Sequence, residues 1–182
     1  MKILALYGSA RAGGNTEQLT KKALEGLDVT HVHLKDYNIY PIDDLRHVEG
    51  GFQPVEDDND QLVQLMLDHD LLVFATPVYW YGMSGSMKDL IDRWSQSLRD
   101  SRFDFKGELS QKKAFVICCG GDNPKLKALP LIQQFHYIFD FVAMEFVGYI
   151  IGKGNQPGEV LQDTVALVQA EQLNERLKSI TK

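Results

Sequence analysis

The chain has 182 residues, 44% of them hydrophobic and 24% charged, with a net charge of −6 at pH 7. This length implies one domain with room for a sizeable core, and the balance is that of an ordinary globular protein. The acidic charge argues against a nucleic-acid or anionic-membrane surface, and no apolar run approaches the roughly 20 residues that a membrane helix needs.

Ile3–Tyr7 reads as a first strand, apolar on both faces. It is too short for a signal peptide and has no cleavage-like sequel, so the expected location is cytoplasmic. Residues 16–27 read as a helix, with Leu19, Ala23, Leu24 and Leu27 on one stripe. Residues 29–34 alternate as a second strand, Val32 and Leu34 on one face, His31 and His33 on the other. A polar stretch over 35–58 follows, carrying Pro41, Gly50, Gly51 and Pro54. Loops this long inside a compact domain tend to be functional or mobile. Leu62, Leu65 and Met66 mark a short helix, and residues 71–75 form a continuous apolar strand closed by Thr76 and Pro77.

Residues 84–98 predict an amphipathic helix, with Met87, Leu90, Ile91, Trp94 and Leu98 at helical spacing. Residues 113–118 form a fourth strand, and the glycines and Pro124 after it start a helix running to about Val142. That helix carries Leu129, Ile132, Phe135 and Phe139; residues 146–151 are a fifth strand and 160–180 a closing helix with Ala166, Ala170, Leu173 and Leu177 on one side. The only cysteines, Cys118 and Cys119, are adjacent and cannot staple distant segments. A reduced, packed pair suits a cytoplasmic protein.

Five short apolar strands separated by helices imply an α/β protein, a parallel sheet covered on both faces. With right-handed crossovers, five strands favour the flavodoxin-like order 2-1-3-4-5. Ligands of such sheets bind beyond the carboxyl ends of the strands, near the switch between strands 1 and 3. Three loops lie at that edge.

The first loop, GSARAGGNT from Gly8 to Thr16, joins strand to helix. Its glycines can turn N–H groups toward an anion, and the helix start adds partial positive charge. Ser9, Asn15 and Thr16 offer hydroxyl and amide donors, and Arg11 a charged fork. The set suits a terminal phosphate monoester. It lacks the GK[ST] ending of a Walker loop and does not match the dinucleotide fingerprint. Read blandly, it is a turn with Asn15 or Thr16 as helix cap. The second loop holds Pro77, Val78, Tyr79, Trp80, Tyr81 and Gly82. Successive strand residues point opposite ways, so three consecutive aromatics have no simple core explanation, whereas a flat heteroaromatic ligand accounts for them. At least one of them packs on the next helix or on a partner subunit in the bland reading. The third loop, Gly120, Gly121 and Asp122, permits close backbone approach, or is ordinary turn chemistry before Pro124. A mononucleotide whose ring lies at the sheet edge would use all three loops.

In GSARAGGNT and in TPVYWYGMSGSMKDLIDRW the chain resembles the NAD(P)H-dependent FMN reductase family of flavodoxin-like flavoproteins. The resemblance implies FMN as cofactor and NADPH or NADH as electron donor. It implies that Ser9, Arg11, Asn15 and Thr16 bind the FMN phosphate. Pro77, Val78, Tyr79, Trp80, Tyr81 and Gly82 would then flank the isoalloxazine, with Gly120, Gly121 and Asp122 closing the site. The related iron–sulfur flavoproteins carry a compact cysteine cluster between strand 2 and helix 2. That stretch has no cysteine here, which excludes such a cluster because its iron needs thiolate ligands. The loop remains long enough to cover the flavin or reach a neighbouring subunit. His31 and His33 lack a third ligand at suitable spacing and read as a strand edge. The acidic run from Glu56 to Asp60 reads as a helix-start cluster.

The expected function is oxidoreduction: hydride from NAD(P)H to FMN, then to a small acceptor such as a quinone, flavin, nitro or azo compound, with ping-pong kinetics. No side chain need act as nucleophile, general acid or metal ligand. Two alternatives stay open, an electron carrier of the flavodoxin type and a non-catalytic regulatory module on the same fold. Self-association as a dimer or tetramer is also expected, through the aromatic loop and the apolar stripe of the helix after it.

Overall fold

The computed structural model describes residues 1–181. Five parallel strands, β1 (Ile3–Tyr7), β2 (Val29–His33), β3 (Leu71–Pro77), β4 (Lys113–Gly120) and β5 (Glu145–Lys153), form one sheet in the order β2-β1-β3-β4-β5. This is the flavodoxin-like order, with β1 and β3 side by side and paired from Ile3–Leu71 to Tyr7–Ala75. The interior strands are apolar on both faces because helices cover both. On one side Ile3, Ala5, Val73 and Ile117 pack under α1 (Asn15–Ala23) and α8 (Thr164–Thr181). On the other, Leu4, Leu6, Phe74 and Val116 pack under α2 (Asn59–Leu67), α3 (Gly85–Asp92), α4 (Trp94–Ser97), α5 (Phe105–Leu109) and α7 (Leu129–Phe141). A short α6 (Pro124–Lys127) precedes α7. No helix among the described residues is long and apolar enough to cross a membrane.

Several expected boundaries move for local reasons. The helix expected over 84–98 is interrupted at Arg93, and that expected from Pro124 is interrupted at Ala128, just before Pro130 enters the first turn of α7. The first helix stops at Ala23, ahead of Gly26 with φ 75°. The short α5, absent from the sequence reading, starts at Asp104, whose carboxylate accepts from Gly107 N at 3.0 Å.

The stretch before α2 is irregular but anchored. Asn38 N donates to Asp58 Oδ2 at 2.7 Å and Asp58 N returns a bond to Asn38 O at 2.9 Å, closing the loop at its base. The acidic run is more than a helix-start cluster. Asp57 is buried and ion-paired with Arg93 at 2.5 Å, both side chains being 2% exposed or less. Arg93 Nη1 also donates to Tyr40 O at 3.1 Å, so the interrupted helix and both ends of the loop meet at one guanidinium.

Candidate active site

The carboxyl ends of β1, β3, β4 and β5 open into two adjoining cavities. A narrow one of about 130 Å³ is lined by Ser9, Arg11, Asn15 and Thr16 and by Pro77, Val78 and Gly120, among others. A wider one of about 430 Å³ lies between Val78, Trp80 and Tyr81 on one wall and Gly120, Gly121, Asp122, Pro124 and Lys127 on the other. Val78, Gly120, Gly121 and Asn155 line both. Of the residues named from sequence, only Gly82 lies outside the two linings; it closes the turn that presents Trp80 and Tyr81.

The narrow end is built by the loop after β1. Gly8 N bonds Ala75 O at 2.8 Å and Ser86 Oγ donates to Gly8 O at 3.2 Å, tying β1, β3 and α3 together beneath the site. A Cβ on Gly8 would stand 2.5 Å from Ser84 Oγ, so this close approach needs glycine. Ser9 Oγ accepts from Arg11 N at 3.1 Å and curls the loop. Gly13 takes φ 64°, its N donating to Glu17 Oε2 at 2.7 Å. The first N–H groups of α1 lack intrahelical partners and converge on this end. Burial disfavours the Glu17 carboxylate, but hydrogen bonds from Lys21 and Gly13 N outweigh it and hold its pKa below the ordinary value.

Asn15 is more engaged than its sequence role suggests. Its Nδ2 donates to Gln156 O at 2.9 Å and its Oδ1 accepts from Val160 N at 3.2 Å. It ties the loop after β5 to the loop after β1, keeping one N–H for the cavity. This fourth loop was missed in the sequence. Its Asn155 accepts weakly from Arg11 Nη1 at 3.5 Å, and a Cβ on Gly121 would sit 2.9 Å from Asn155 Cβ. The only available signal was the Gly154-Asn155 pair ending a strand.

The wide end owes its shape to a tight turn. Tyr79 and Gly82 pair reciprocally at 3.0 and 2.9 Å, and Trp80 and Tyr81 between them have φ 48° and 65°. Such a turn favours Asn-Gly; side chains this bulky at positive φ cost about 1–3 kcal/mol each and mark functional strain. Trp80 is 96% exposed, so nothing within the chain pays for its position by packing. Opposite it, Asp122 accepts from Tyr81 Oη at 2.9 Å and pairs with Lys127 at 2.6 Å. Lys127 and Pro124 are further lining residues that the sequence reading did not name.

Residues outside the cavities have structural partners. Tyr7 Oη and His31 Nδ1 are 2.9 Å apart and the Tyr7 ring stacks on His33. Burial, with Lys21 next, pulls the His31 pKa down, and burial pushes the Tyr7 phenol up. Cys118 and Cys119 are buried in β4. Cys119 lines the narrow end, but burial pushes its thiol up to about 12, so it packs as a neutral group.

The donor set fits FMN. Helix-start N–H groups, hydroxyls and a guanidinium suit its phosphate, and the slot between Val78 and Gly120–Gly121 suits its ring. A Cβ at Gly120 would come 3.1 Å from Val78 Cβ, at the junction of the two cavities.

The model of the NADPH-dependent FMN reductase family matches residues 1–156. A Bacillus subtilis protein, provisionally named NAD(P)H-dependent FMN-containing oxidoreductase YwqN, is 54% identical over 99% of this chain and 100% of its own length. An iron–sulfur flavoprotein of Methanocaldococcus jannaschii is 29% identical over 100% of this chain and 98% of its own. Among solved structures, the Trp repressor binding protein from Bacillus subtilis superposes with a TM-score of 0.79 at 49% identity, covering 95% of this chain and 99% of that one. With the flavodoxin-like sheet and these matches along nearly the whole chain, the chain belongs to the NADPH-dependent FMN reductase family and is an FMN-dependent oxidoreductase.

Proposed function

We propose that the protein carries hydride from NADPH or NADH to a small acceptor, a quinone, flavin, nitro or azo compound, through one cavity used twice. The observation that carries this reading is the pair of joined cavities, whose wide end opens beside exposed Trp80. When bound, FMN would supply the redox chemistry, hydride transfer between a nicotinamide and the acceptor. Ser9, Arg11, Thr16 and the first N–H groups of α1 hold its phosphate. Val78, Tyr81, Gly120 and Gly121 hold its ring, and backbone N–H groups around Gly120 stabilise negative charge there. One wide end serves both substrates, so the oxidised nicotinamide must leave before the acceptor enters. Initial rates at several fixed quinone concentrations, plotted reciprocally against NADPH, should give parallel lines; intersecting lines would end the shared-cavity reading.

The reading extends to self-association as a dimer or tetramer. The stripe first suspected, Met87, Leu90, Ile91, Trp94 and Leu98, is mostly buried in the chain's own core, Leu98 only partly. The support comes from Trp80 and from Tyr137 and Phe141, exposed along α7 beside an apolar groove of about 420 Å³ whose other side is the stripe's Ile91, Trp94 and Leu98. Light scattering at micromolar concentration should report at least a dimer; a monomer alone would contradict the assignment.

A further inference from the structure

Three side chains at the mouth of the wide cavity form one connected group. Tyr81 Oη and Lys127 Nζ both donate to Asp122 Oδ2, at 2.9 and 2.6 Å. Lys127 also lies over the Tyr81 ring, 5.7 Å from its centroid. Tyr81 belongs to the turn after β3, Asp122 to the loop after β4 and Lys127 to α6, so the group spans the cavity from wall to wall. The Tyr81–Asp122 bond ties the turn over 79–82 to the opposite wall through a side chain. That turn holds two bulky residues at positive φ, a conformation that persists only where the surroundings enforce it. The family resemblance made Asp122 a flavin contact. Its Oδ2 is engaged by two donors of the protein itself.

We propose that Asp122 is a positioning residue, a latch that fastens the strained Trp80-Tyr81 turn to α6 and thereby sets the width of the ring cavity. The part of this that concerns binding rests on the FMN reading above; the latch itself is a property of the protein alone. With the latch closed the cavity wall is formed in advance, and the bound ring need not order it. With the latch open the turn relaxes, and each binding event must restore it, so affinity falls by the fraction of time the turn is misplaced.

Asp122→Ala and Tyr81→Phe both remove the Tyr81–Asp122 hydrogen bond, and Asp122→Ala removes the Lys127 ion pair with it. Each should weaken FMN binding about two- to fivefold, the scale of one solvent-exposed charged contact. The double variant should be no weaker than Asp122→Ala alone, because the Tyr81–Asp122 bond can be lost only once. In cofactor-free protein both variants should speed the local rotation of Trp80, read by fluorescence anisotropy decay. Iodide quenching separates Trp80, 96% exposed, from Trp94, 3% exposed. Weaker binding in Asp122→Ala with Tyr81→Phe unchanged would mean a direct flavin contact and would overturn the latch. Additive losses in the double variant would overturn it too. A wild-type protein that ignored FMN would remove the cavity reading, yet the anisotropy of the cofactor-free variants would still decide the latch, with unchanged Trp80 rotation in both sinking it.

Discussion

Replacing Arg93 by alanine is expected to cost about 3–5 kcal/mol of folding stability, the range for removing one partner of a buried ion pair. The guanidinium sits where α3 gives way to α4 and is 2% exposed. It donates to Asp57 Oδ2, to Tyr40 O and, through Nε, to Gln96 Oε1 at 3.0 Å. Without it Asp57 keeps backbone donors from Tyr40 and Asn59 but loses its counter-charge in a site shut off from water. The base of the 38–58 loop would lose its hold on the helix. The measurement is urea unfolding, read as a lower midpoint at unchanged slope. Replacing both partners by leucine should recover much of the loss, because no charge is then left unpaired. A loss below about 1 kcal/mol in Arg93→Ala, the scale of a surface pair, would contradict the assignment.

The second large effect concerns the phosphate end. FMN should bind far more tightly than riboflavin, since only FMN carries the dianion proposed for the α1 start and Arg11. Arg11→Ala should weaken FMN by about 1.5–3 kcal/mol, the scale of a charge-assisted hydrogen bond, and leave riboflavin nearly unaffected. Equal affinity for the two flavins, measured by fluorescence quenching, would remove the phosphate from the narrow cavity. Asn15 should behave differently from Arg11. Its amide braces the loop after β5 through Gln156 O and Val160 N, so Asn15→Ala should weaken both flavins by distorting the shared wall.

The sheet was legible because it is buried on both faces. Unbroken runs such as Ile3–Tyr7, with turn residues after them, have few other readings. The glycine-rich loop and the aromatic turn were legible for a related reason. Three adjacent aromatics and a run of small residues contradict both core and ordinary surface patterns. What stayed hidden depends on distant partners. Nothing near Asp57 in sequence announces Arg93, 36 positions away. Nothing in Asp122 tells whether its carboxylate faces a ligand or the Tyr81 phenol. Asn155 reaches the site only because β5 lies beside β4 and Gly121 leaves room for it. The helix interruption at Arg93 was missed because the apolar stripe continues across it.

The central claim is that this cavity holds FMN through its phosphate and exposes its ring to a nicotinamide. Its most direct test is a visible spectrum of the purified protein, reconstituted with one equivalent of FMN, before and after anaerobic addition of NADPH. The account expects a bound-flavin spectrum that riboflavin fails to reproduce, bleached promptly by NADPH and restored by a quinone. A protein that leaves FMN free in solution, or binds it yet stays oxidised while NADPH is present, would contradict it.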